Sequence, residues 1–405
     1  MTKTIAVIAS LDTKEAEVAF VKEKVERLSC RALVIDVGVW RGSTLIADVS
    51  RETVALAAGV TWQGIVDRSK PDRIATMARG MAALLPELYA RGEFDAVLSF
   101  GGVQNTTIGV AGMKALPIGV PKLMVSTVAS GQRTFEPLVG SKDVVLMPSV
   151  ADVVGTNVLT RTILENAVAA IVGMAEHGAG ALHAGRNLII GATQMGVTAG
   201  VVQAARRLEK AGYEVISFHA TGSGGPAMEE LIVGGVIKAV LDLTLHEIVA
   251  EVIGGGFSVG AVNRLEAACR AGIPQVVAPG GADFIDFGAR ELPADIARRK
   301  HVLHNADLAH IKLRKDEIAR VGSLIVERLN RNSAPVTVLI PLNGFRQAAS
   351  AGEPLWDPEV DNVLVEILRT GLKPTIKVVE IDANINDASF SEAAATAMCE
   401  LLAPR

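Results

Sequence analysis

Short β-branched, apolar runs recur along the chain, each closed by a small or polar turn and followed by a segment whose apolar residues keep helical spacing. In the first part the runs are TIAVIAS (4–10), ALVIDVG (32–38), AVLSFGG (96–102), PKLMVST (121–127) and DVVLMPS (143–149). Lys14 to Leu28 and Pro71 to Ala90 are amphipathic, and Thr160 to Ala175 reads as a longer helix closing this unit. Strands alternating with helices imply βαβ units, right-handed crossovers and a parallel sheet. HGAGALHAGRN (177–187) is small, polar and aperiodic, as an interdomain linker is. The pattern then restarts with NLIIGAT (187–193), YEVISFH (213–219), AVLDLT (239–244), PQVVAPG (274–280), VTVLIPL (336–342) and IKVVEID (376–382).

The expected fold class is therefore α/β: two doubly wound, mainly parallel Rossmann-like domains, 1–180 and 181–405, with a cleft between them. Glu291 to Arg320 is charge-rich, carries His301, His304 and His310, and is expected to make an excursion over the sheet edge or the cleft.

Composition agrees with this. A chain of 405 residues suits about two domains. Apolar residues make up 49% and charged residues 21%, enough for a large core, while aromatics are only 4%. The mean hydropathy of +0.35 comes from Ala, Val, Leu, Ile and Gly spread along the chain, which suit parallel strands covered on both faces. No apolar stretch is expected to reach the ~18 residues of a membrane span; Ala167 to Ala175 is stopped by Glu176 and His177. Asp12 follows the first apolar run at once, so that run reads as a buried strand rather than a leader. Cys30, Cys269 and Cys399 are widely spaced, which points to a reducing, cytoplasmic setting and to packing roles. The formal charge is −4 with no basic stripe or aromatic platform, which argues against nucleic acid as partner.

In an open parallel sheet, ligands bind beyond the carboxyl ends of the strands, where helix N-termini attract anions. The first such junction is Ser10-Leu11-Asp12-Thr13-Lys14-Glu15. Asp12 or Thr13 can cap the following helix, Lys14 can reach a phosphate, and Asp12 can hold Mg²⁺ through water. The second is Gly101-Gly102-Val103-Gln104-Asn105-Thr106-Thr107, where two glycines free the backbone and Asn105 and Thr106 add polar groups; it is neither a Walker loop nor GxGxxG. The third, Ser126-Thr127-Val128-Ala129-Ser130-Gly131, brings Thr127 to the same edge.

The second domain repeats the theme. Thr221-Gly222-Ser223-Gly224-Gly225 follows a strand and precedes Pro226, which is expected as the first helical residue, so the turn reads as an anion nest. Thr193 in the turn 192–198, Gly254 to Gly260, and Pro279 to Asp283 stand in the same register. A second ligand site is expected there.

Chemistry-bearing side chains are fewer. His219 ends a strand beside the glycine turn, Asp242 lies in the strand LDLT with His246 and Glu247 after it, and each can serve as an acid–base group or a helix cap. His301 and His304 would share a face if that segment were helical. No HExxH or carboxylate–His spacing accompanies them, so no metal site is assigned. Asp382 to Asp387 reads as a loop and cap before a helix from Phe390 to Leu402. A nucleophile elbow is missing.

Several blocks together resemble one family: SLDTKEAE, GGVQNTTIGVAGMKALPIGVPKLMVSTVASG, NVLTRTILENAVAAIVGM, FHATGSGGPAMEELI, IPLNGF and IDANIND. It is the family of the tomato resistance protein that inhibits tomato mosaic virus RNA replication, and the resemblance covers essentially the whole chain. It implies a pair of α/β domains, ATP with Mg²⁺ on the N-terminal domain, and self-association as a homodimer or higher oligomer. It also implies a further barrel domain in the plant protein, which this chain is expected to lack. Where that family has a Gly-Gly-Ser-Gly-Gly-Thr type of turn, this chain reads Gly101-Gly102-Val103-Gln104-Asn105-Thr106. Antiviral inhibition is not carried over.

The functional expectation is a nucleotide-binding protein, with ATP at Asp12 to Lys14 and Gly101 to Thr107 and a small anionic metabolite, an organic or sugar acid, in the interdomain cleft near Thr221 to Gly225. The alternatives are a non-nucleotide isomerase or lyase using His219, Asp242 or His301, and a nucleotide-regulated interaction module.

Overall fold

The structure is a computed structural model and describes residues 2–129, 139–182, 187–254, 256–261 and 263–403. The chain divides into two compact units, Met1–Leu182 and His183–Arg405.

The N-terminal unit is built on β1 (Thr4–Ala9), β2 (Arg31–Asp36), β3 (Ala96–Gly101), β4 (Lys122–Ser126) and β5 (Val145–Pro148). They lie in the order β2-β1-β3-β4-β5, every pairing parallel. Helices cover both faces, and the strand alternation decides which side chain meets which helix. Ile5, Val7 and Ala9 pack with Val18, Val21 and Val25 of α1 (Leu11–Arg27) and with Leu164, Val168 and Ile171 of the last helix. Ala6 and Ile8 face the other way. They meet the cluster formed by α2 (Arg51–Ala57), α3 (Trp62–Val66), α4 (Lys70–Ala90) and α5 (Val103–Ala115). The last helix, α6 (Val158–His177), overturns one expectation: with a mean hydropathy of 1.4 over 18 residues it is long and apolar enough to cross a membrane. Its scattered polar residues, Arg161 and Glu165 among them, are too few to lower that average. Its Leu164, Ala167, Val168, Ile171 and Val172 face is buried in the domain core.

The C-terminal unit repeats the plan with β6 (Ile189–Gln194), β7 (Glu214–His219), β8 (Ala239–Thr244), β9 (Gln275–Gly280), β13 (Val336–Pro341) and β14 (Lys377–Ile381). Their order is β7-β6-β8-β9-β13-β14, again parallel throughout. One face packs against α7 (Thr198–Lys210) and α13 (Ala388–Leu402), the other against α9 (His246–Ile253), α11 (Lys315–Asn330) and α12 (Pro358–Gly371). Two shorter helices, α8 (Gly224–Val233) and α10 (Ala267–Ala271), complete this unit.

The charge-rich excursion holds a second sheet, β10 (Phe284–Gly288), β11 (His301–Leu303) and β12 (Leu308–Lys312), antiparallel in the order β10-β12-β11. These strands have three to five residues and interrupt their apolar positions with Asp286, His301, His310 and Lys312, so no periodicity announces them. His301 therefore stands on a strand, and the helical face expected to join it to His304 does not form.

Both large sheets have the same switch point. The chain steps to one side from the first strand to the second, then returns past the first, so a crevice opens between first and third strands at their carboxyl ends. It lies between β1 and β3 in one unit and between β6 and β8 in the other.

Candidate functional site

The β1/β3 switch point joins the first two junctions singled out in the sequence. Ser10 donates to Asn105 Oδ1, and Gln104 Nε2 donates to Ser10 Oγ at 2.9 Å. Asn105 turns inward, its Nδ2 donating to the Phe100 carbonyl at 2.8 Å, and Thr106 Oγ1 donates to the Gly102 carbonyl at 2.9 Å. These two side chains hold the turn rather than face outward. A side chain on Gly101, whose φ is +141°, would meet Asn105 Nδ2 at 2.7 Å, so glycine is required there.

Gly102 is the N-cap of α5 and has no side chain to cap it. The N–H groups of the first turn, Val103 to Asn105, have no acceptor inside the helix. Among the described residues a Cβ on Gly102 would find only Thr127 Oγ1, at 3.7 Å. Thr127 is half-buried at the same edge, its N–H donating to the Gly101 carbonyl at 3.2 Å. Of the third junction, Ser130 and Gly131 lie outside the described residues.

Asp12 is 3% exposed, and its Oδ2 accepts from the N–H groups of Val39 (3.0 Å) and Trp40 (2.8 Å). Its Oδ1 is buried without a hydrogen-bond partner among the described residues. Asp36 Oδ1 accepts from Leu11 N–H at 3.0 Å and Gly38 N–H at 2.8 Å, and burial pushes its carboxyl above the ordinary range. The two carboxylates thus pin the 37–40 loop to the start of α1. Thr13 is exposed and its hydroxyl lies 3.4 Å from the Ser10 carbonyl. Lys14, expected to reach a phosphate, donates to the Val153 carbonyl.

The β6/β8 switch point is filled from inside. Thr193 and Asp242 stand opposite each other, and Thr193 Oγ1 donates to Asp242 Oδ1 at 2.6 Å. Arg264, fully buried, reaches Asp242 (2.8 Å), Glu247 (2.7 Å) and Glu229 (3.1 Å) with three different nitrogens. Burial opposes its charge, but Asp242, Glu247 and Glu229 more than offset this and raise its pKa; burial also pushes Glu229 up. The glycine turn that reads as an anion nest does bind an anion, the protein's own. Glu247 Oε1 accepts from the N–H groups of Gly222 (2.8 Å) and Gly225 (3.1 Å).

Of the other turn residues, Thr221 is half-buried and Ser223 is exposed. Gly224 packs so closely on β7 that a Cβ would sit 2.1 Å from the His219 carbonyl oxygen. Pro226 is the third helical residue of α8 rather than the first, because Gly224 and Gly225 already have helical geometry. A Cβ on Gly225 would lie 1.7 Å from Glu247 Oε2 and 2.5 Å from Arg264. Both groups are fully buried and cannot swing aside, so Gly225→Ala is expected to cost at least about 3 kcal/mol, as buried ion-pair disruption does. The urea unfolding midpoint reads this.

His219, Asp242 and His301 are not joined by any hydrogen bond or ring contact among the described residues. Asp242 is 1% exposed and engaged with Arg264, His219 is exposed at the end of the edge strand β7, and His301 is exposed on β11.

A polar cluster lies at the carboxyl ends of β8, β9 and β13; the sequence singled out His246 and the turns 254–260 and 279–283 one by one but not their convergence, and missed Asp286, Lys312, Arg346 and Asp361. His246 has Asp286 Oδ1 3.1 Å from Nε2 and the Gly281 carbonyl 3.1 Å from Nδ1, and its ring stacks on Phe284 at 4.3 Å. Burial works against the Asp286 carboxylate, but His246 and Ser258 bring it down to about 2. Arg346, 2% exposed, lies over the Phe284 ring at 3.4 Å, and Lys312 bridges Asp283 (2.8 Å) and Asp361 (2.6 Å). Spacing gave no sign of this cluster, because its members come from six separate segments. Among the described residues no three His, Cys, Asp or Glu side chains converge as a metal site.

Residues 3–179 match the N-terminal domain, and residues 187–402 the C-terminal domain, of the Uncharacterised protein family (UPF0261). The chain belongs to that family. Relatives in UPF0261 include a protein of Clostridium tetani, 40% identical over 99% of this chain and 100% of its own length. The ToMV resistance protein Tm-1(GCR237) of Solanum lycopersicum is 31% identical over 97% of this chain, which spans 55% of that protein. Among solved structures, the UDP-GlcNAc 2-epimerase of Methanocaldococcus jannaschii aligns over 98% of this chain and 92% of its own. Its identity is 9% and its TM-score 0.24, so that likeness carries no argument.

Proposed function

We propose that this UPF0261 protein binds a nucleotide, ATP with Mg²⁺, through its phosphates at the β1/β3 edge of the N-terminal unit. The carrying observation is the uncapped start of α5 behind Gly102, set at the switch point of a parallel sheet. Three first-turn N–H groups, a glycine without Cβ and the Gln104–Ser10 pair suit an approaching phosphate. The orphaned Oδ1 of Asp12 is an acceptor that a water on Mg²⁺ can use. The homology to the tomato protein adds support, since that resemblance implies ATP. In the C-terminal unit the equivalent crevice already holds Arg264 and its carboxylates, which makes the N-terminal edge the better nucleotide site.

Gly102→Val tests this cleanly. Among the described residues a Cβ there meets only Thr127 Oγ1, at 3.7 Å, so stability is expected to fall by about 1 kcal/mol, the cost of an apolar N-cap. It projects where the phosphate must come, so ATP–Mg²⁺ affinity by isothermal titration is expected to drop at least tenfold, about 1.4 kcal/mol. Equal affinity in both proteins, or no binding to the unmodified protein at millimolar ATP, contradicts the proposal.

A further inference from the structure

We propose that Arg346 anchors a small oxyanion, a carboxylate or phosphate group, at the carboxyl edge of the C-terminal sheet, with His310 and His304 beside it. The site is independent of the nucleotide reading and lies in the other unit.

The argument starts from unmet hydrogen-bonding capacity. A guanidinium carries five N–H donors and accepts none. Arg346 is 2% exposed, yet among the described residues its Nε and Nη2 have no hydrogen-bond partner. Asp283 Oδ1 is 3.7 Å from Nε, too far for a hydrogen bond, and that carboxylate is held through its other oxygen by Lys312 at 2.8 Å. Leaving buried donors unpaired is unfavourable, and a charged group makes it more so. A carboxylate or phosphate matches two guanidinium donors at once.

The surroundings fix where the donors point. The Phe284 ring lies 3.4 Å from the guanidinium carbon and orients its plane. Arg346 Nη1 is 3.1 Å from His310 Nδ1. Since the arginine can only donate, Nδ1 of His310 accepts, and the proton of the neutral ring sits on Nε2 as a further donor. Burial, then the charge of Arg346 and His304, holds His310 down to about 3, in keeping with that tautomer. The exposed His304 stacks on His310 at 4.6 Å.

The motif IPLNGF, left without a role in the sequence, and IDANIND, read there as a loop and helix cap, position this group. Asn384 Nδ2 donates to the Arg346 carbonyl (3.2 Å) and the Asn343 carbonyl (3.1 Å). Asn386 Nδ2 donates to the Gly196 carbonyl at 3.2 Å. Gly196 is exposed, and a Cβ there would fall 3.5 Å from Arg346 Cβ. The cover over the arginine stem on that side is backbone without a side chain.

The test uses the full chain carrying Gly102→Val, so that phosphate binding at the N-terminal edge does not contribute. Inorganic phosphate and succinate are titrated separately, following the melting temperature and the histidine ring resonances. A saturable rise in melting temperature is expected with one or both, together with shifts of the His310 and His304 signals. A response to phosphate alone assigns a phosphate group, and one to succinate alone a carboxylate. In Arg346→Lys, which keeps the charge but loses the fork, the affinity is expected to fall at least about tenfold. His304→Ala changes an exposed side chain and keeps the fold, and is expected to weaken binding as well. The proposal is overturned if neither anion gives a saturable response, or if the response is unchanged in both variants.

Discussion

Arg264→Met is expected to destabilise the C-terminal unit by about 3–5 kcal/mol, the range for breaking a buried ion pair from one side. The guanidinium is fully buried and is the cation that Asp242, Glu247 and Glu229 share. Methionine fills similar volume, so packing is largely kept and the loss comes from carboxylates left without their partner. Asp242 Oδ2 already lacks a hydrogen bond among the described residues, and Glu247 cannot leave because it holds the N–H groups of Gly222 and Gly225. The damage should therefore spread from the ion pair to the turn before α8. Urea unfolding followed by circular dichroism measures this; a loss below about 1 kcal/mol would mean that the network does not hold the switch point together.

His310→Gln is expected to make stability fall more steeply as pH rises from about 4 to 7. Two groups of opposite sign overlap in that window. Burial, followed by repulsion from Arg346 and His304, lowers His310 to about 3 from its ordinary 6.5. Below pH 6.5 the unfolded chain takes up this proton and the folded one does not, so the histidine makes stability drop with acid. Asp361 goes the other way. Burial and the neighbouring Asp283 raise it from 3.8 to about 7, outweighing Lys312, while Asp283 is lowered and keeps the charge. Between about pH 4 and 7 the folded protein holds the Asp361 proton that the unfolded chain has released, so stability falls as pH rises.

Each proton changes stability by at most about 1.4 kcal/mol per pH unit, less where water screens the half-buried histidine. With both present these two slopes oppose each other, while the raised carboxyls of Asp36 and Glu229 add to the Asp361 side in both proteins. Removing the histidine leaves the Asp361 slope, and Asp361→Asn should remove that in turn. Unfolding free energies at pH 4.5, 5.5 and 6.5 decide it; a His310→Gln protein with the unmodified pH profile would contradict the assignment.

Both large sheets were legible in the sequence, because their inner strands, buried on two faces, read as nearly continuous apolar runs and the partly exposed edge strands β5, β7 and β14 still keep an apolar, β-branched stretch. Each of the eleven runs became a strand. The small antiparallel sheet was not legible, since its strands are three to five residues long and carry His301, His310 and Lys312. The glycine turns were legible as places where something anionic meets the backbone, but not as to whose anion it is. At Gly222 and Gly225 it is Glu247, twenty-odd residues further along and unmarked by any motif. At Gly101 and Gly102 no carboxylate among the described residues comes in, and the turn is held by Asn105 and Thr106 instead. A glycine reports close approach to the backbone; only the fold tells an internal partner from a ligand. The Arg346 cluster left no trace in spacing because it is assembled from residues as far apart as Gly196, Phe284, His310 and Asn384.

Hydrogen exchange of the full chain with and without ATP–Mg²⁺ tests the central claim most directly. Slowed exchange is expected in segments 10–14 and 101–107, with the turn at 221–225 unchanged because Glu247 already occupies it. Protection at 221–225 without protection at 101–107, or no protection at saturating nucleotide, would contradict a nucleotide site at the β1/β3 edge.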